Sequence, residues 1–406
     1  SGDYTRINPA MDEHGEINVL LFDGLTDHDG AGQIVPRLAE RWDYDPDTLT
    51  YTFHLAQGVT WHDGEPFTAA DVKFTFEAIM DPDNGSENAP NYEDVTDITV
   101  IDDHTVSFTL SAVNTAFLEY MTMAILPQHL LEGEDMQTAD FFRAPVGTGP
   151  YKLESWDVGQ SITLVKNPDY FAGAANIDTI VFKIVTDSNA KTMQLQTGEL
   201  DLYFNPLSGV ALDTVKAADN IAISEGLTCR NESIYMNCES DIFSDVRMRR
   251  AVAYAINKEE ALEVCGNGQG KVVTYPCDLG EQVTGNPDFV PSHTYEYNVE
   301  KARALVEECG NVGKTVTIKS YNTEPYQTLS VWLQGSLSAI GLDAKVDTME
   351  RSAFLDQLIN GEVEICPFSW SDISFDFGSA VGIYMNSNCI GMSGNYGRYN
   401  NPRADE

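Results

Sequence analysis

The sequence predicts a protein of the α/β class. The main observation is a run of alternating strands and helices between residues 315 and 368, in the order strand, helix, strand, helix, strand. This order favours a mainly parallel sheet with helices on its faces. A second observation is a strand-loop-helix unit in the first quarter of the chain. The third is the length of 406 residues, which is too long for one ordinary domain.

The strand-loop-helix unit occupies residues 51–82. Residues 51–55 alternate apolar and polar side chains, which is the pattern of a half-buried strand. Thr68 and Asp71 have the spacing at which a side chain and a backbone group cap each other at the start of a helix. Apolar residues then follow at helical spacing until Pro82 ends the run. These residue types alone indicate a structural unit without catalytic chemistry.

The other elements are predicted from the same two periodicities and from turn residues. In the first half we expect a hairpin over 94–110, an apolar helix or loop over 117–131, a hairpin over 151–165, a strand over 180–185 and a helix over 190–197. In the second half we expect helices that begin after Asp245 and Asn298, strands over 315–321, 344–349 and 363–368, and helices over 326–340 and 352–359.

The charge balance excludes one class of partner. The chain has 63 acidic and 24 basic residues, a formal net charge of −39. Phosphate binding needs the opposite sign, so we expect no nucleic-acid partner and no adsorption to anionic lipid. The acidity is interpreted either as an aid to solubility, including in a salty or wall-bound setting, or as an attraction for cationic cargo.

The seven cysteines all lie after residue 228, and none forms a CxxC pair or a Cys/His cluster. A zinc or redox site is therefore not expected. Outside the cytoplasm some of them can pair, and Cys265 and Cys277 flank a glycine-containing loop of the kind that a disulfide closes. Cys309 instead falls on the apolar stripe of a helix, where it is expected to pack as a small apolar side chain.

The segment Gly147-Thr148-Gly149-Pro150 invites comparison with a phosphate-binding loop. It lacks the Lys-Ser/Thr pair that such loops need, and it does not open a helix. We therefore interpret it as a structural crossing between domains. No GxSxG motif, Cys-His pair or carboxylate dyad indicates an enzyme either.

Four stretches carry a resemblance to a known family. Residues 53–77 follow the pattern FxLxxGVxWHDGxPFTAxDVxFTFE, which resembles the signature of the family 5 extracellular solute-binding proteins. Residues 24–25 together with 34–42, then 147–171 and 245–258, resemble further family elements in the same order. The family comprises the peptide- and nickel-binding subunits of ABC importers. The resemblance implies a two-lobed, periplasmic-binding-protein-like fold (type II, similar to cluster C) with three domains.

The resemblance also implies domain borders. Domain I comprises residues 1–22 and 144–229, domain II is the inserted segment 23–143, and domain III comprises residues 230–406. The lobes are expected to close on ligand about strands near these borders. The chain starts at Ser1 without a signal peptide, so we expect that an export signal or lipid-bearing cysteine was removed or left out. Residues 395–402, NYGRYNNP, resemble a family element. In the family this element is followed by a helix and by a return of the chain to domain I. Domain III is therefore expected to be truncated here.

The strongest candidate site lies at strand ends, because ligands of parallel sheets gather beyond the carboxyl ends of the strands. One such end is Tyr321-Asn322, and the other is Ser369-Trp370-Ser371-Asp372. In peptide-binding relatives the second carries a tryptophan followed by an acid that pairs with the peptide's amino terminus. The resemblance assigns these roles to Trp370 and Asp372, beside Ser371, with Asp376 as a second match for the acid. Tyr321 and Asn322 are expected across the pocket.

Three further residues are candidate ligand contacts by resemblance. Glu13 and His14 lie in a loop that reaches the cleft in family members, although their residue types alone indicate a solvated acidic turn. Nickel-binding members have an arginine, which holds the chelator's carboxylates, at the position of Met123. Because this chain has a methionine there and its histidines are scattered, nickel is the weaker interpretation. We expect no metal ligands.

The predicted function is that of an extracytoplasmic substrate-binding protein, periplasmic or attached to the cell surface. It would capture a small peptide by hinge closure and deliver it to the permease and ATPase subunits of an ABC importer. We expect a monomer without cofactor or catalytic residues, which meets the membrane only through a lipid anchor. The alternatives are a nickel chelate, an oligosaccharide or a cationic solute as cargo, a ligand sensor on the same fold, or a glycan-binding lipoprotein.

Overall fold

The structure is a computed structural model, and it divides into two compact units, Ser1–Leu202 and Tyr203–Glu406. The residues described are 6–11, 15–30, 32–86, 88–185, 187–204, 207, 209–226, 230–266, 268–273, 292–371, 384–391 and 394–405.

The first unit is built on antiparallel sheets. Its strands are β1 (Thr26–His28), β2 (Ile34–Pro36), β3 (Ala39–Asp45), β4 (Thr50–Leu55), β5 (Val95–Asp102), β6 (Thr105–Leu110), β7 (Tyr151–Asp157), β8 (Ser161–Lys166) and β9 (Thr179–Lys183). Its helices are α1 (Gly15–Leu21), α2 (Ala69–Met80), α3 (Phe117–Tyr120), α4 (Gln128–Leu131) and α5 (Ser188–Thr197), with 3-10 turns at Pro82–Asn84, Ala89–Tyr92 and Asp140–Arg143. The described strands pair in the orders β1-β2, β3-β4-β6-β5 and β7-β8-β9.

One cluster of buried side chains runs through the first unit, from Ile7 to Leu164. At its centre the rings of Phe53 and Phe76 each meet Phe108 nearly edge-on, at centroid distances of 5.7 and 5.1 Å. Edge-to-face packing of this kind adds stabilisation beyond the buried area. The alternation along β4 and the helical spacing along α2 therefore direct their apolar residues into one core.

The second unit contains a mixed sheet with helices around it. Its strands are β10 (Arg230–Met236), β11 (Thr315–Tyr321), β12 (Asp343–Met349) and β13 (Ile365–Ser371), in the described order β10-β13-β11-β12. Its helices are α6 (Gly209–Lys216), α7 (Val246–Ala255), α8 (Lys258–Gly266), α9 (Val299–Glu308), α10 (Tyr326–Ala339), α11 (Arg351–Ile359) and α12 (Pro402–Asp405), with a 3-10 turn at Ser387–Cys389. β11 pairs in parallel with both β12 and β13.

The predicted order β11-α10-β12-α11-β13 is confirmed, and so are the helix caps at Thr68, Asp245 and Asn298. In the second unit one strand was not predicted as part of the sheet. β10 pairs antiparallel with β13 along its whole length, where the sequence predicted a domain border with a hinge strand near residues 229–230. The sheet is therefore parallel in its β12-β11-β13 part and antiparallel at β10.

The sheet of the second unit separates two cores. On one face Val316 and Ile318 of β11 pack in a cluster that includes Leu333 and Leu337 of α10. On the other face Tyr321 packs in a smaller cluster with residues of α11. This division follows from the period of two along a strand, which sends successive side chains to opposite faces.

The two cysteine predictions have different outcomes. Cys265 is a half-buried free thiol, so the suggested disulfide to Cys277, a residue outside the described part, is not formed in this structure. Cys309, at the C-terminus of α9, is half-buried and packs against the core cluster of the second unit, as predicted, and its Sγ also donates to the Oδ2 of Asp245 at 3.5 Å. The division into three domains stays a prediction.

Candidate ligand-binding site

Three parallel strands of the second unit end at the same edge of the sheet, which we call the carboxyl edge. Tyr321 is the last residue of β11 and pairs with Met349, the last residue of β12. Ile318 of β11 pairs with Ile365 of β13, so β13 continues beyond the end of β11. Parallel α/β sheets bind their ligands at this edge.

Aromatic rings support the carboxyl edge from one face of the sheet. The ring of Tyr321 lies 4.2 Å from that of Tyr326 and 5.5 Å from that of Phe354, measured between centroids. Phe368 of β13 lies 5.8 Å from Phe354 and 5.6 Å from Tyr396. Tyr321 is only 9% exposed. The ring predicted to line the pocket is thus packed in this cluster.

Hydrogen bonds tie the strand ends to the following helices. The hydroxyl of Tyr326, at the start of α10, is hydrogen-bonded to the hydroxyl of Ser369 in β13. Asn322 is exposed, and its Nδ2 donates to Glu350 Oε1 at 3.0 Å while its backbone oxygen accepts from Gln327 Nε2 at 2.9 Å. These contacts fix the position of the loop after β11.

Carboxylates lie close to the same edge. Glu350 follows the end of β12, and Glu324 lies in the loop between β11 and α10. Burial, and then the carboxylates of Glu324 and Glu232, raise the pKa of the Cys265 thiol to about 11. Burial and these two carboxylates together disfavour a thiolate at Cys265. Sequence reasoning missed Glu324, Glu350 and Tyr326, because each acts through its position in the fold and none belongs to a motif.

Several predicted contacts lie where the structure gives no side-chain geometry. Asp372, Asp376, Glu13 and His14 are outside the described residues. For Trp370 and Ser371 only the backbone is described, and it pairs with residues 231 and 230 of β10. The roles assigned to these side chains stay predictions.

Met123 lies in the first unit. It is partly buried against the core, and its backbone N–H donates to the carbonyl of Tyr120 at 3.3 Å. Its predicted contact with a ligand stays a prediction.

The family-like signature has a structural role in the first unit. The Asp71 carboxylate caps α2 by accepting the Thr68 N–H, and it also accepts the Gln128 N–H, both at 2.9 Å. The indole of Trp61, which is 1% exposed, donates to the same carboxylate at 3.4 Å. Burial raises the pKa of Asp71. The Trp and Asp of the signature thus join the loop, the helix and the α4 segment.

Close backbone contacts explain the Gly147-Thr148-Gly149 segment. A Cβ on Gly147 would lie 1.8 Å from the carbonyl oxygen of Leu21, and one on Gly149 would lie 2.6 Å from that of Leu20. The Thr148 hydroxyl donates to the buried carboxylate of Asp23 at 3.0 Å. These glycines are required for close packing of two chain segments, in agreement with the structural interpretation of this motif.

Across the described ranges, no group of three or more His, Cys, Asp or Glu residues has the arrangement of a metal site. None of the helices in the described ranges combines the length and apolar character needed to cross a membrane.

Comparisons with known proteins agree with this geometry. A family model described as bacterial extracellular solute-binding proteins, family 5 middle, matches residues 33–391. The mixed α/β fold is that of the periplasmic binding proteins of the family 5 type, as predicted. The chain belongs to family 5 of the bacterial extracellular solute-binding proteins.

Individual relatives have modest identity but cover most of the chain. The oligopeptide-binding protein AppA of Bacillus subtilis is 28% identical over 97% of this chain and 76% of its own length. The structure of NikZ from Campylobacter jejuni in complex with Ni(L-His) has a TM-score of 0.84 at 27% identity, covering 100% of this chain and 83% of that one. The structure of DppA from Helicobacter pylori in complex with the peptide STSA has a TM-score of 0.82 at 27% identity, covering 100% and 84%.

Proposed function

We propose that this chain is the extracytoplasmic substrate-binding subunit of an ABC importer and that its cargo is a short peptide. The observation that carries the proposal is family membership together with relatives named for, or solved with, peptides. The chain would capture the peptide by hinge closure and pass it to a permease and its ATPases. We also propose that the protein is a monomer, that a lipid anchor holds it near the membrane, and that it has no catalytic activity.

The carboxyl edge supports a cargo with a positively charged end. Glu324 and Glu350 lie near the strand ends, and the neighbouring field already disfavours a thiolate at Cys265. We assign the charged contact to Asp372, which follows β13 directly in the chain, with Trp370 and Ser371 beside it. A carboxylate in a closing cleft is costly to desolvate unless the ligand brings the opposite charge.

Nickel is the second candidate, because the NikZ relative was solved with Ni(L-His). Two observations make it weaker for this chain. Met123 cannot donate to a chelator's carboxylates as an arginine does, and the described residues contain no cluster of metal ligands. The carboxylates of Glu324 and Glu350 near the carboxyl edge also disfavour an anionic chelator.

Calorimetry with one peptide in two forms tests the proposal. The peptide Ser-Thr-Ser-Ala should bind the wild type, and its N-acetylated form should bind more weakly by about 2–5 kcal/mol, as expected when one partner of a desolvated charge pair is removed. Asp372→Asn should lose about as much affinity for the free-amine peptide, whereas the matched control Asp376→Asn should not.

The same titrations distinguish the alternatives. If acetylation leaves the affinity unchanged, the amine is not recognised and Asp372 is not its partner. If Ni²⁺ with histidine binds and the peptide does not, the nickel interpretation is correct. If only the Asp376→Asn variant loses affinity, the charged contact is made by Asp376 and not by Asp372.

A further inference from the structure

His62, Gly147 and Gly149 form a set of reciprocal hydrogen bonds that we call the His62 latch. The N–H of Gly147 donates to Nδ1 of His62, and Nε2 of His62 donates to the carbonyl of Gly149, both at 3.0 Å. The backbone N–H of His62 also donates to the carbonyl of Gly147 at 2.8 Å. The latch thereby joins two segments that lie 85 residues apart.

Only the neutral imidazole can make both side-chain bonds. Nδ1 must keep a lone pair to accept the Gly147 N–H, so the proton must be on Nε2, where it donates to Gly149. A second proton would place an N–H on Nδ1, directly against the N–H of Gly147. Protonation therefore removes one hydrogen bond and leaves two donors facing each other.

We infer that the His62 latch is acid-sensitive, and that protonation of His62 releases the 147–149 segment from the signature loop of the first unit. The inference rests on the geometry of the bonds and is independent of the proposed cargo. It gives the Trp-His-Asp-Gly sequence of residues 61–64 a conformational role that neither its composition nor its turn propensity indicates.

The charges around the ring support this inference. The ammonium group of Lys152 in β7 donates to the carbonyl of His62 at 2.9 Å, and its positive charge disfavours an imidazolium. Asp63 favours an imidazolium, but its carboxylate is paired with His129 at 2.9 Å. Burial is the largest influence, and it lowers the pKa of His62 from 6.5 to about 4. The folded chain thus keeps His62 neutral well below the pH at which a free histidine is charged.

The direction of the pH effect follows from linkage. Between pH 6.5 and 4 the released state binds a proton that the latched state does not, so acid favours release. The released fraction should rise about tenfold for each pH unit below 6.5 and reach about a hundredfold at pH 4. Above pH 6.5 the latch should be independent of pH.

Amide hydrogen exchange, corrected for the intrinsic pH dependence of exchange, measures this release. In the wild type the protection of the Gly147 amide should fall between pH 6.5 and 4. The Gly149 amide provides an internal control, because it donates to the carbonyl of Leu21 at 2.9 Å and not to His62. Its protection should fall much less.

Two variants complete the experiment. His62→Asn can still accept from Gly147 but cannot titrate, so its Gly147 protection should not change in this pH range. His129→Asn removes the neighbouring histidine and frees the Asp63 carboxylate, but it leaves His62 able to titrate, so its Gly147 protection should still fall between pH 6.5 and 4. Constant Gly147 protection in the wild type from pH 6.5 to 4 would overturn the inference, as would an equal fall in His62→Asn or loss of the fall in His129→Asn.

Discussion

At the residue scale, the side chains that the family resemblance singles out divide into structural and binding residues. Trp61 and Asp71 are buried at 1% and 5% exposure, and their hydrogen bonds are made within the first unit. Such residues stabilise the fold and have no free group for a ligand. Our proposal therefore places ligand recognition on other residues, near the carboxyl edge of the second unit.

Gly147→Ala tests the packing of the crossing segment. A methyl group there would meet a backbone carbonyl at 1.8 Å, and backbone cannot move away as a flexible side chain can. We expect a loss of more than about 3 kcal/mol in the free energy of unfolding, an exceptional value for one substitution. Chemical denaturation followed by circular dichroism measures it.

Gly335→Ala is the matched control, because a Cβ at this position in α10 has no neighbour within 4 Å. It should raise helix stability by up to about 1 kcal/mol. Equal stability of the Gly147→Ala variant and the wild type would mean that the two segments are not in close contact.

At the element scale, periodicity predicted the strands and helices whose side chains alternate clearly between core and solvent. β11, α10 and α11 are examples, and their bounds differ from the predictions by at most one residue. β10 was missed because its first residues, Arg-Asn-Glu-Ser, have no apolar alternation. Its pairing with β13, more than 120 residues away, makes it a strand. The pattern of residues within β10 cannot identify a pairing strand that is so distant in the sequence.

The same reasoning explains what was missed near the site. The sequence placed Tyr321 and Asn322 at a strand end, and this position is confirmed. It could not predict that the Tyr321 ring packs against Tyr326 and Phe354, or that Asn322 bonds to Glu350. These contacts depend on how two later helices dock against the sheet.

Phe354→Ala tests the cluster that supports the carboxyl edge. Phe354 is fully buried in α11, between Tyr321 and Phe368. Its removal should cost about 3–5 kcal/mol in the free energy of unfolding, through lost burial and a cavity.

On the same helix, Ile359 is 40% exposed, so Ile359→Ala should change stability by no more than about 0.5–1 kcal/mol. Thermal and denaturant unfolding of both variants provide the comparison. Similar costs for the two substitutions would show that Phe354 does not anchor the edge.

At the scale of the whole molecule, the net charge of −39 dominates the electrostatics. Repulsion between like charges destabilises the compact state, and salt screens it. The melting temperature should therefore rise with sodium chloride from about 0.01 M to 0.5 M, a range in which the Debye length falls several-fold.

A variant with Glu40, Glu65 and Glu93 replaced by Gln removes three exposed negative charges. It should be slightly more stable than the wild type at low salt, by about 1 kcal/mol or less, since exposed charges interact weakly. It should also gain less from added salt. A melting temperature that is independent of salt would indicate that surface repulsion is not important for this fold.

Native mass spectrometry of the purified protein tests the central claim, that this solute-binding protein carries peptides, most directly. Binding proteins that enclose their cargo can retain it through gentle purification, because affinity is mainly set by slow dissociation. The account predicts a series of bound masses that match short peptides and disappear after unfolding and refolding. A single bound mass of a sugar, or of a nickel chelate, would contradict it.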